Sequence, residues 1–151
     1  MNAPKESEEV SMPHPEKKVV YTAHAHTTGG RDGGASRTSD GRLDVTFSVP
    51  GKPGNGTNPE QMLAAGWAAC FISAMGIVAG KMKVKLPADL AVDTEVDLCT
   101  GRDGFSLQAR FNVSLPGLER EAAQAVVDAS HHTCPYSKAL QGSINLVTNL
   151  V

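Results

Sequence analysis

The chain has 151 residues, of which 40% are hydrophobic, and a formal net charge of −2 at pH 7. This length and composition support one domain with a substantial hydrophobic core. The near-neutral charge excludes any electrostatic reason to expect nucleic acid or an acidic membrane surface as a partner.

Segment 1–18 is polar and carries three prolines, so it cannot bury enough apolar surface to offset the entropy of ordering it. We expect a flexible leader here, followed by a single domain over residues 19–151. The segment lacks the apolar run of a secretory signal peptide, and the chain has three cysteines, an odd number. These features favour reduced thiols in the cytoplasm over a disulfide scaffold.

The first half of the domain predicts three strands separated by turns. Residues 19–28 are rich in β-formers and end at a glycine-rich turn. Residues 35–38 lead to Asp40-Gly41, a pair typical of hairpin turns. Apolar and polar residues alternate over 43–49, which predicts a strand with one buried face. A loop of glycines and prolines then leads to the next element.

The stretch 57–80 predicts a long central helix. Two cap registers fit its start: a capping box of Thr57 and Glu60, or Asn58 as the cap. No charged side chain occurs over 62–79, so the helix has no polar face and is predicted to be buried on nearly all sides. Its length is close to that of a membrane span, but its Ala and Gly content and its amphipathic neighbours favour the core of a soluble protein.

The second half of the domain predicts a hairpin, an amphipathic helix and a final strand, each from the period of its apolar residues. The segments are strands at 90–98 and 105–115, a helix that begins near 118 and is stopped by Pro135, and a strand at 144–150. The order β-β-β, helix, β-β, helix, β is an α+β fold, with the sheets wrapped around the apolar helix.

Two cysteines lie where the two predicted helices would pack together. Cys70 is in the middle of the first helix, and Cys134 is at the end of the second. If both helices lie in the core, the sulfurs could come within disulfide reach, about 5.5–6 Å between Cα atoms. On spacing alone, inert packing is the stronger interpretation, because free cysteine is among the most buried residue types. Cys99, near a hairpin turn, is predicted to be a bystander.

Arg31 and Glu60 are candidates for activating a cysteine. Arg31 lies among glycines at the end of a strand, on a loop shaped for close approach. A guanidinium near a buried sulfur favours the reactive thiolate, and Glu60 could orient the guanidinium through two parallel hydrogen bonds. Taken singly, each residue has a simpler explanation: a solvated turn for Arg31 and the capping box for Glu60.

His131-His132 raises the question of a metal site. Adjacent histidines on a helix point about 100° apart and rarely bind one ion together. No second cluster of cysteines and histidines has zinc-like spacing. The sequence therefore predicts no metal site.

Four segments resemble, in order, the organic hydroperoxide resistance (Ohr) branch of the OsmC/Ohr family: YTAHAHTTGGRDGGASRTSDGRLDV, GTNPEQMLAAGWAACF, LPGL and HHTCPYSKALQGSINL. The resemblance runs over about residues 20–147. It implies an OsmC-like α+β fold of two antiparallel sheets wrapped around two core helices, in an intertwined homodimer. It also implies a thiol peroxidase for organic hydroperoxides that binds no cofactor. The external reductant is then a dihydrolipoyl group on a lipoylated partner protein.

By motif, the resemblance assigns the peroxidatic cysteine to Cys70 and the resolving cysteine to Cys134. It assigns the activating arginine to Arg31 and its carboxylate partner to Glu60. The implied reaction turns Cys70 into a sulfenic acid, which condenses with Cys134 to an intrachain disulfide. A small dithiol then reopens the disulfide by exchange.

The substrate pocket around the peroxidatic sulfur is predicted to include Trp67, Phe71 and Tyr136. An apolar pocket of this kind favours alkyl or fatty-acid hydroperoxides over hydrogen peroxide. The sequence departs from the family pattern in a few places. Trp67 stands where Tyr is usual, the loop at 50–56 is short, and Cys99 has no counterpart with a role.

Helix geometry limits how this site can be assembled. Glu60 and Cys70 are ten residues apart on one predicted helix, so they lie about 15 Å apart along its axis. Either the helix breaks near Gly66, or a second subunit supplies the glutamate and arginine. Our hypothesis is a site shared between two antiparallel helices, with the disulfide inside one chain.

Two other functions remain open at this point. One is an OsmC-type peroxidase with a broader range of peroxides. The other is a non-enzymatic redox-sensing dimer, although the sequence shows no DNA-binding helix or basic patch.

Overall fold

The computed structural model describes residues 17–151, so all but the last two residues of the predicted leader lie outside the described part. The elements are β1 (Ala25–Thr28), β2 (Ala35–Thr38), β3 (Asp44–Thr46), α1 (Pro59–Met82), β4 (Ala91–Gly101), β5 (Gly104–Ser114), α2 (Arg120–Thr133), α3 (Pro135–Leu140) and β6 (Asn145–Leu150). This is the predicted α+β order with one additional short helix.

The additional helix, α3, begins at Pro135, which the sequence analysis interpreted only as the end of α2. Proline also suits the first position of a helix, because its missing N–H would have no intrahelical partner there. Cys134 is both the C-cap of α2 and the N-cap of α3. The predicted stop was correct, but a new helix starts at the same point.

The first strand is shorter than predicted. Residues 19–24 have no regular structure and are exposed, and β1 starts only at Ala25. Its pairing with β2 ends at Ala25 and Thr38, after which β2 enters the turn at Asp40. Within the described part of the chain, residues 19–24 pair with no strand, and the His24 carbonyl accepts a hydrogen bond from the Ser39 N–H at 3.0 Å.

The six strands form two separate three-stranded sheets, ordered β1-β2-β3 and β4-β5-β6. The first is antiparallel, as predicted. The second is mixed: β4 and β5 form a long antiparallel hairpin, but β6 runs parallel to β5. The prediction of two antiparallel sheets is wrong here, because α2 and α3 carry the chain back across the sheet before β6 and so restore its direction.

Asn58 caps the start of α1: its side-chain oxygen accepts a hydrogen bond from the Gln61 backbone N–H, so the second of the two predicted cap registers is the correct one. The helix runs without interruption to Met82, which excludes the alternative of a break near Gly66. By length and composition α1 could cross a membrane, a property that it shares with the core helices of soluble proteins.

The core lies between α1, α2 and the β4-β5-β6 sheet. Its largest fully buried side chains come from all three of these units: Trp67, Phe71, Met75, Phe111, Val113, Val126 and Val127. The aromatic rings meet edge to face, with centroids 4.9 Å apart for Trp67 and Phe111 and 5.2 Å apart for Phe71 and Phe111. Such pairs add to the burial energy of the core.

One face of α1 is not covered by any of residues 17–151, against the prediction that the helix is buried on nearly all sides. Small residues at four-residue spacing line this face: Ala65, Ala69 and Ser73 are exposed, and Ile77 is 53% exposed. The reason is that α2, α3 and β4 pack against the other side of the helix. The β1-β2-β3 sheet is itself mostly exposed.

Candidate active site

The structure brings the two helix-associated cysteines together. The Sγ atoms of Cys70 and Cys134 are 3.4 Å apart, and both thiols are free. Cys70 comes from the middle of α1, and Cys134 comes from the junction of α2 and α3. The pair arises because α1 packs against both of these helices. A small movement would bring the sulfurs to bonding distance, about 2.05 Å.

The two sulfurs differ in exposure. Cys134 is fully buried, whereas Cys70 is only partly buried. The Cys134 sulfur accepts a hydrogen bond from the backbone N–H of Ser137 at 3.5 Å. The backbone N–H of Cys134 donates to the Ser130 carbonyl at 2.8 Å. Cys134 is therefore held in one orientation, and Cys70 is the sulfur that a molecule from solution meets first.

Within the single chain, Cys70 is not activated. Burial raises the pKa of its thiol above the ordinary value, and the neighbouring Cys134 raises it further, while a hydrogen bond from the Tyr136 backbone lowers it. Arg31 is not among the groups that act on this sulfur. Within residues 17–151, no guanidinium therefore stabilises the Cys70 thiolate, and the hypothesis that Arg31 acts from a second chain stays a prediction.

Arg31, on the loop between β1 and β2, instead contacts Glu60 in the first turn of α1. Its Nη2 is 3.4 Å from Glu60 Oε1, and the Glu60 side chain is nine-tenths buried while Arg31 remains 44% exposed. The predicted pair of parallel hydrogen bonds does not form, because Arg31 reaches the carboxylate from an exposed loop with a single nitrogen. The other oxygen, Oε2, is buried and has no hydrogen-bond partner within residues 17–151.

The candidate residues therefore form two groups that a single chain cannot combine. Glu60 and Cys70 lie on one uninterrupted helix, about 15 Å apart along its axis. The sulfur pair is at the middle of α1 and the ion pair is at its N-terminal end. Within one chain, therefore, the sulfur pair and the ion pair are separate.

The three predicted pocket residues have different surroundings. Phe71 is fully buried in the core, and its ring centroid is 4.5 Å from that of His131. Trp67 is 1% exposed and lines a cavity of about 670 Å³ beside α2, α3 and β6. Tyr136 is 43% exposed and covers Gly66, where an added Cβ would come 3.2 Å from its hydroxyl oxygen. Of the three, Tyr136 is the one exposed near Cys70.

The sequence analysis missed a hydrogen-bonded network beside Cys134. Trp67 Nε1 donates to Ser137 Oγ at 2.9 Å, and Ser137 Oγ is 3.1 Å from His131 Nδ1. The other ring nitrogen, Nε2, is 2.9 Å from Thr148 Oγ1. Isolated hydroxyl residues have no periodic pattern, so the sequence could not reveal Ser137 or Thr148.

Within residues 17–151, neither the two histidines nor Cys99 hydrogen-bonds to the sulfurs of Cys70 and Cys134. Both ring nitrogens of His131 face hydroxyl groups, and His132 is exposed. Residues 17–151 contain no group of three or more side chains placed to hold a metal ion. Cys99 is partly buried on β4, opposite Ser106 of β5.

Comparison with known proteins gives consistent matches over most of the chain. The sequence model of the OsmC-like protein family matches residues 51–149. The organic hydroperoxide resistance protein of Xanthomonas axonopodis pv. citri is 45% identical over 143 residues, which cover 92% of this chain and 99% of that protein. The crystal structure of the organic hydroperoxide resistance protein OhrB of Bacillus subtilis matches with a TM-score of 0.83 at 36% identity, over 88% of this chain and 100% of that one. A structure from Legionella pneumophila, also described as an organic hydroperoxide resistance protein, matches with a TM-score of 0.81 at 38% identity, over 88% and 98% of the two chains.

Proposed function

Because this chain belongs to the OsmC/Ohr family, we propose that it is a cysteine-dependent peroxidase that reduces organic hydroperoxides to alcohols. The observation that carries the proposal is the pair of free sulfurs 3.4 Å apart, one partly exposed and the other buried. Such a pair can store the oxidation from one peroxide molecule as a disulfide.

The reaction follows from the exposure of each sulfur. The Cys70 thiolate attacks the outer oxygen of the hydroperoxide, the O–O bond breaks, and the alkoxide leaves and takes up a proton as alcohol. Cys70 is then a sulfenic acid. The Cys134 sulfur attacks the Cys70 sulfur, the S–O bond breaks, and hydroxide leaves and is protonated to water. The product is the Cys70–Cys134 disulfide.

Reduction of the disulfide must also begin at Cys70. Because Cys134 is fully buried, an external thiolate can reach only the Cys70 sulfur, so that Cys134 leaves as the thiolate. The Ser137 N–H that faces the Cys134 sulfur is placed to stabilise this leaving group. A flexible dithiol fits such a one-sided approach, and we assign the role to dihydrolipoyl groups on a lipoylated protein.

The substrate preference follows from the apolar surroundings of Cys70. No charged side chain occurs over 62–79, and the Tyr136 ring is 43% exposed near the sulfur. An alkyl chain buries apolar area against such a surface, whereas hydrogen peroxide has no apolar area to bury. We therefore expect alkyl and fatty-acid hydroperoxides to be preferred.

The active unit in this proposal is a homodimer with shared sites. Within residues 17–151 no cation acts on Cys70, and the pair of Arg31 and Glu60 lies about 15 Å away along α1. Two α1 helices packed antiparallel through their exposed small-residue faces would place each Glu60 beside the Cys70 of the other chain. The guanidinium would then favour the thiolate.

A mixed dimer tests the shared site. One chain carries Cys70→Ser and the other carries Arg31→Ala, so that a shared arrangement leaves one complete site and a within-chain arrangement leaves none. We expect about half of the wild-type turnover. An inactive mixed dimer, with both parent variants folded and dimeric, would contradict sharing.

Intact mass tests the chemistry itself. After one equivalent of cumene hydroperoxide, the wild type should lose the mass of two hydrogen atoms. Cys134→Ser should gain one oxygen, or more through overoxidation. An unchanged mass in the wild type would refute the peroxidase. Similar rates with hydrogen peroxide would point to a broader OsmC-type enzyme, and oxidation without turnover on dihydrolipoamide would point to a redox sensor.

A further inference from the structure

The hydrogen-bonded network beside Cys134 joins four elements of the fold. Trp67 lies on α1, His131 on α2, Ser137 on α3 and Thr148 on β6. The contacts are 2.9, 3.1 and 2.9 Å long, and Trp67 and Ser137 are buried. A buried network of this kind fixes the elements that it joins, because each broken bond would leave a polar group unpaired.

The direction of each hydrogen bond can be assigned from its chemistry. The Trp67 indole N–H can only donate, so Ser137 Oγ accepts from it. Within residues 17–151, His131 Nδ1 is the acceptor that the Ser137 proton can use. Nδ1 therefore carries no proton, and Nε2 carries the proton that it donates to Thr148 Oγ1. The network requires the neutral Nε2–H tautomer of His131.

Ser137 connects this network to the resolving sulfur. It lies in the first turn of α3, and its backbone N–H donates to Cys134 Sγ. α3 has six residues, too few for a helix to be stable in isolation. Its first turn therefore depends on side-chain anchors, and the Ser137 hydroxyl is bonded to both α1 and α2.

We propose that Ser137 and His131 are positioning residues for Cys134. They hold the first turn of α3 so that the Cys134 sulfur faces Cys70, and they thereby set how fast the sulfenic acid is converted into the disulfide. Neither residue hydrogen-bonds to the Cys70 sulfur, which is the one that attacks the peroxide, so we expect the first oxidation step not to depend on them. The proposal rests on the peroxidase function for its kinetic consequence, but the geometry of the two thiols can be tested without peroxide.

The proposal also predicts a pH dependence of disulfide formation. Burial lowers the pKa of His131 below its ordinary value; Asp128 opposes this and His132 adds to it. The groups that face the ring from the other elements are uncharged: Phe71, Phe111, Ser137 and Thr148. Protonation of Nδ1 at low pH removes the acceptor of the Ser137 hydroxyl, so disulfide formation slows as the pH falls through this lowered pKa.

The kinetic experiment measures how the Cys70 sulfenic acid divides between capture by an added reagent and disulfide formation with Cys134. The reduced protein receives one equivalent of cumene hydroperoxide in the presence of dimedone, which captures sulfenic acid in competition with Cys134. Mass spectrometry then gives the ratio of captured protein to disulfide. We expect this ratio to rise about tenfold in Ser137→Ala, since two buried hydrogen bonds are lost, with no change in hydroperoxide consumption. Ser143→Ala, an exposed serine just after α3, is the matched control.

The histidine variants test the pH dependence. Wild type and His132→Gln should both show the captured fraction rising in acid, and His131→Gln should show a raised fraction with no such inflection. Nitrogen-15 chemical shifts of His131 should report the Nε2–H tautomer at neutral pH. The opposite tautomer, or an inflection that follows His132, would overturn the assignment.

A redox titration with mixtures of reduced and oxidised glutathione tests the positioning role without using hydroperoxide. The equilibrium between the thiol pair and its disulfide should shift about tenfold toward the thiols in Ser137→Ala. If the wild type does not react with hydroperoxide but this shift is found, the peroxidase fails and the positioning role stands. If Ser137→Ala and His131→Gln match the wild type in both the partition and the titration, the positioning role is refuted.

Discussion

Replacing Ala65 by glutamate should separate assembly from folding. Ala65 lies midway between Glu60 and Cys70 on α1 and is exposed in the single chain. If antiparallel packing brings each Glu60 beside the Cys70 of the other chain, the two Ala65 residues face each other on the two-fold axis. Ala65→Glu would then bury two like charges at the centre of the interface.

The size of the effect follows from burial of these charges. An unpaired buried carboxylate costs several kcal/mol, and the dimer would bury two, so even a partial cost of about 5 kcal/mol weakens the dimer by between three and four powers of ten. In the single chain the new side chain points into water. Alanine and glutamate differ there by less than about 0.7 kcal/mol in helix propensity.

The assay combines three measurements on the same variant. Sedimentation equilibrium should show a monomer, circular dichroism should show an unchanged helix content, and turnover of cumene hydroperoxide should be lost. Oxidised glutathione should still convert Cys70 and Cys134 to an intrachain disulfide by thiol–disulfide exchange, releasing two molecules of reduced glutathione, because both sulfurs belong to one chain. Ala125→Glu, the same change at an exposed position of α2, is the control. An Ala65→Glu monomer with wild-type turnover would refute the shared site, and an Ala65→Glu dimer of wild-type affinity would refute the antiparallel interface.

Three further predictions concern the core, an acid-sensitive ion pair and the Cys70 thiol. Phe111→Ala should lower the free energy of unfolding by about 3–5 kcal/mol in a denaturant titration, since the Phe111 ring is fully buried. The control Phe105→Ala, at a residue that is 79% exposed, should change this free energy by less than about 0.5 kcal/mol. Hydrogen bonds from Arg110 lower the pKa of Asp97 from 3.8 to about 2. The ion pair therefore stabilises the fold above the unfolded-state pKa of Asp97, and this contribution disappears as the pH falls through about 2. The difference in the free energy of unfolding between the wild type and Asp97→Asn should close over that range. A difference that stays constant would contradict the prediction. Finally, the pKa of Cys70, followed by thiolate absorbance, should lie above its ordinary value in an Arg31→Ala dimer and below it in the wild type; equal values would rule out Arg31 as the activating cation.

The order of the elements could be predicted because each has a period or a cap that depends on near neighbours in sequence. Asn58, the alternation in β4 and β5, and the Asp40-Gly41 turn are all signals of this kind. These local features need no knowledge of how distant segments meet. The proximity of Cys70 and Cys134 could be stated only as a condition, that both helices pack in one core, and the structure meets this condition.

The features that could not be predicted depend on long-range placement. The direction of β6 depends on how α2 and α3 cross the sheet, which no local pattern encodes. The single 3.4 Å contact between Arg31 and Glu60 depends on the path of an exposed loop. The exposed face of α1 could not be located from the sequence, because residues 62–79 carry no charge that would distinguish a side packed within the chain from a side left for a second molecule.

Burial and ionisation of Cys70 have opposite requirements, and the arrangement of the chain suggests how both are met. A thiol packed against the core is shielded from solvent, but the same burial raises its pKa and keeps it protonated. A cation that lay beside the Cys70 sulfur within one chain would activate the thiol as soon as that chain folds. Arg31 instead lies beside the N-terminal end of α1, far from Cys70 of its own chain. It can act only on the Cys70 sulfur of a second chain whose α1 packs antiparallel to its own. In the proposed dimer, therefore, peroxide reactivity appears with assembly, while the Cys134 sulfur is already in place in each single chain to close the disulfide.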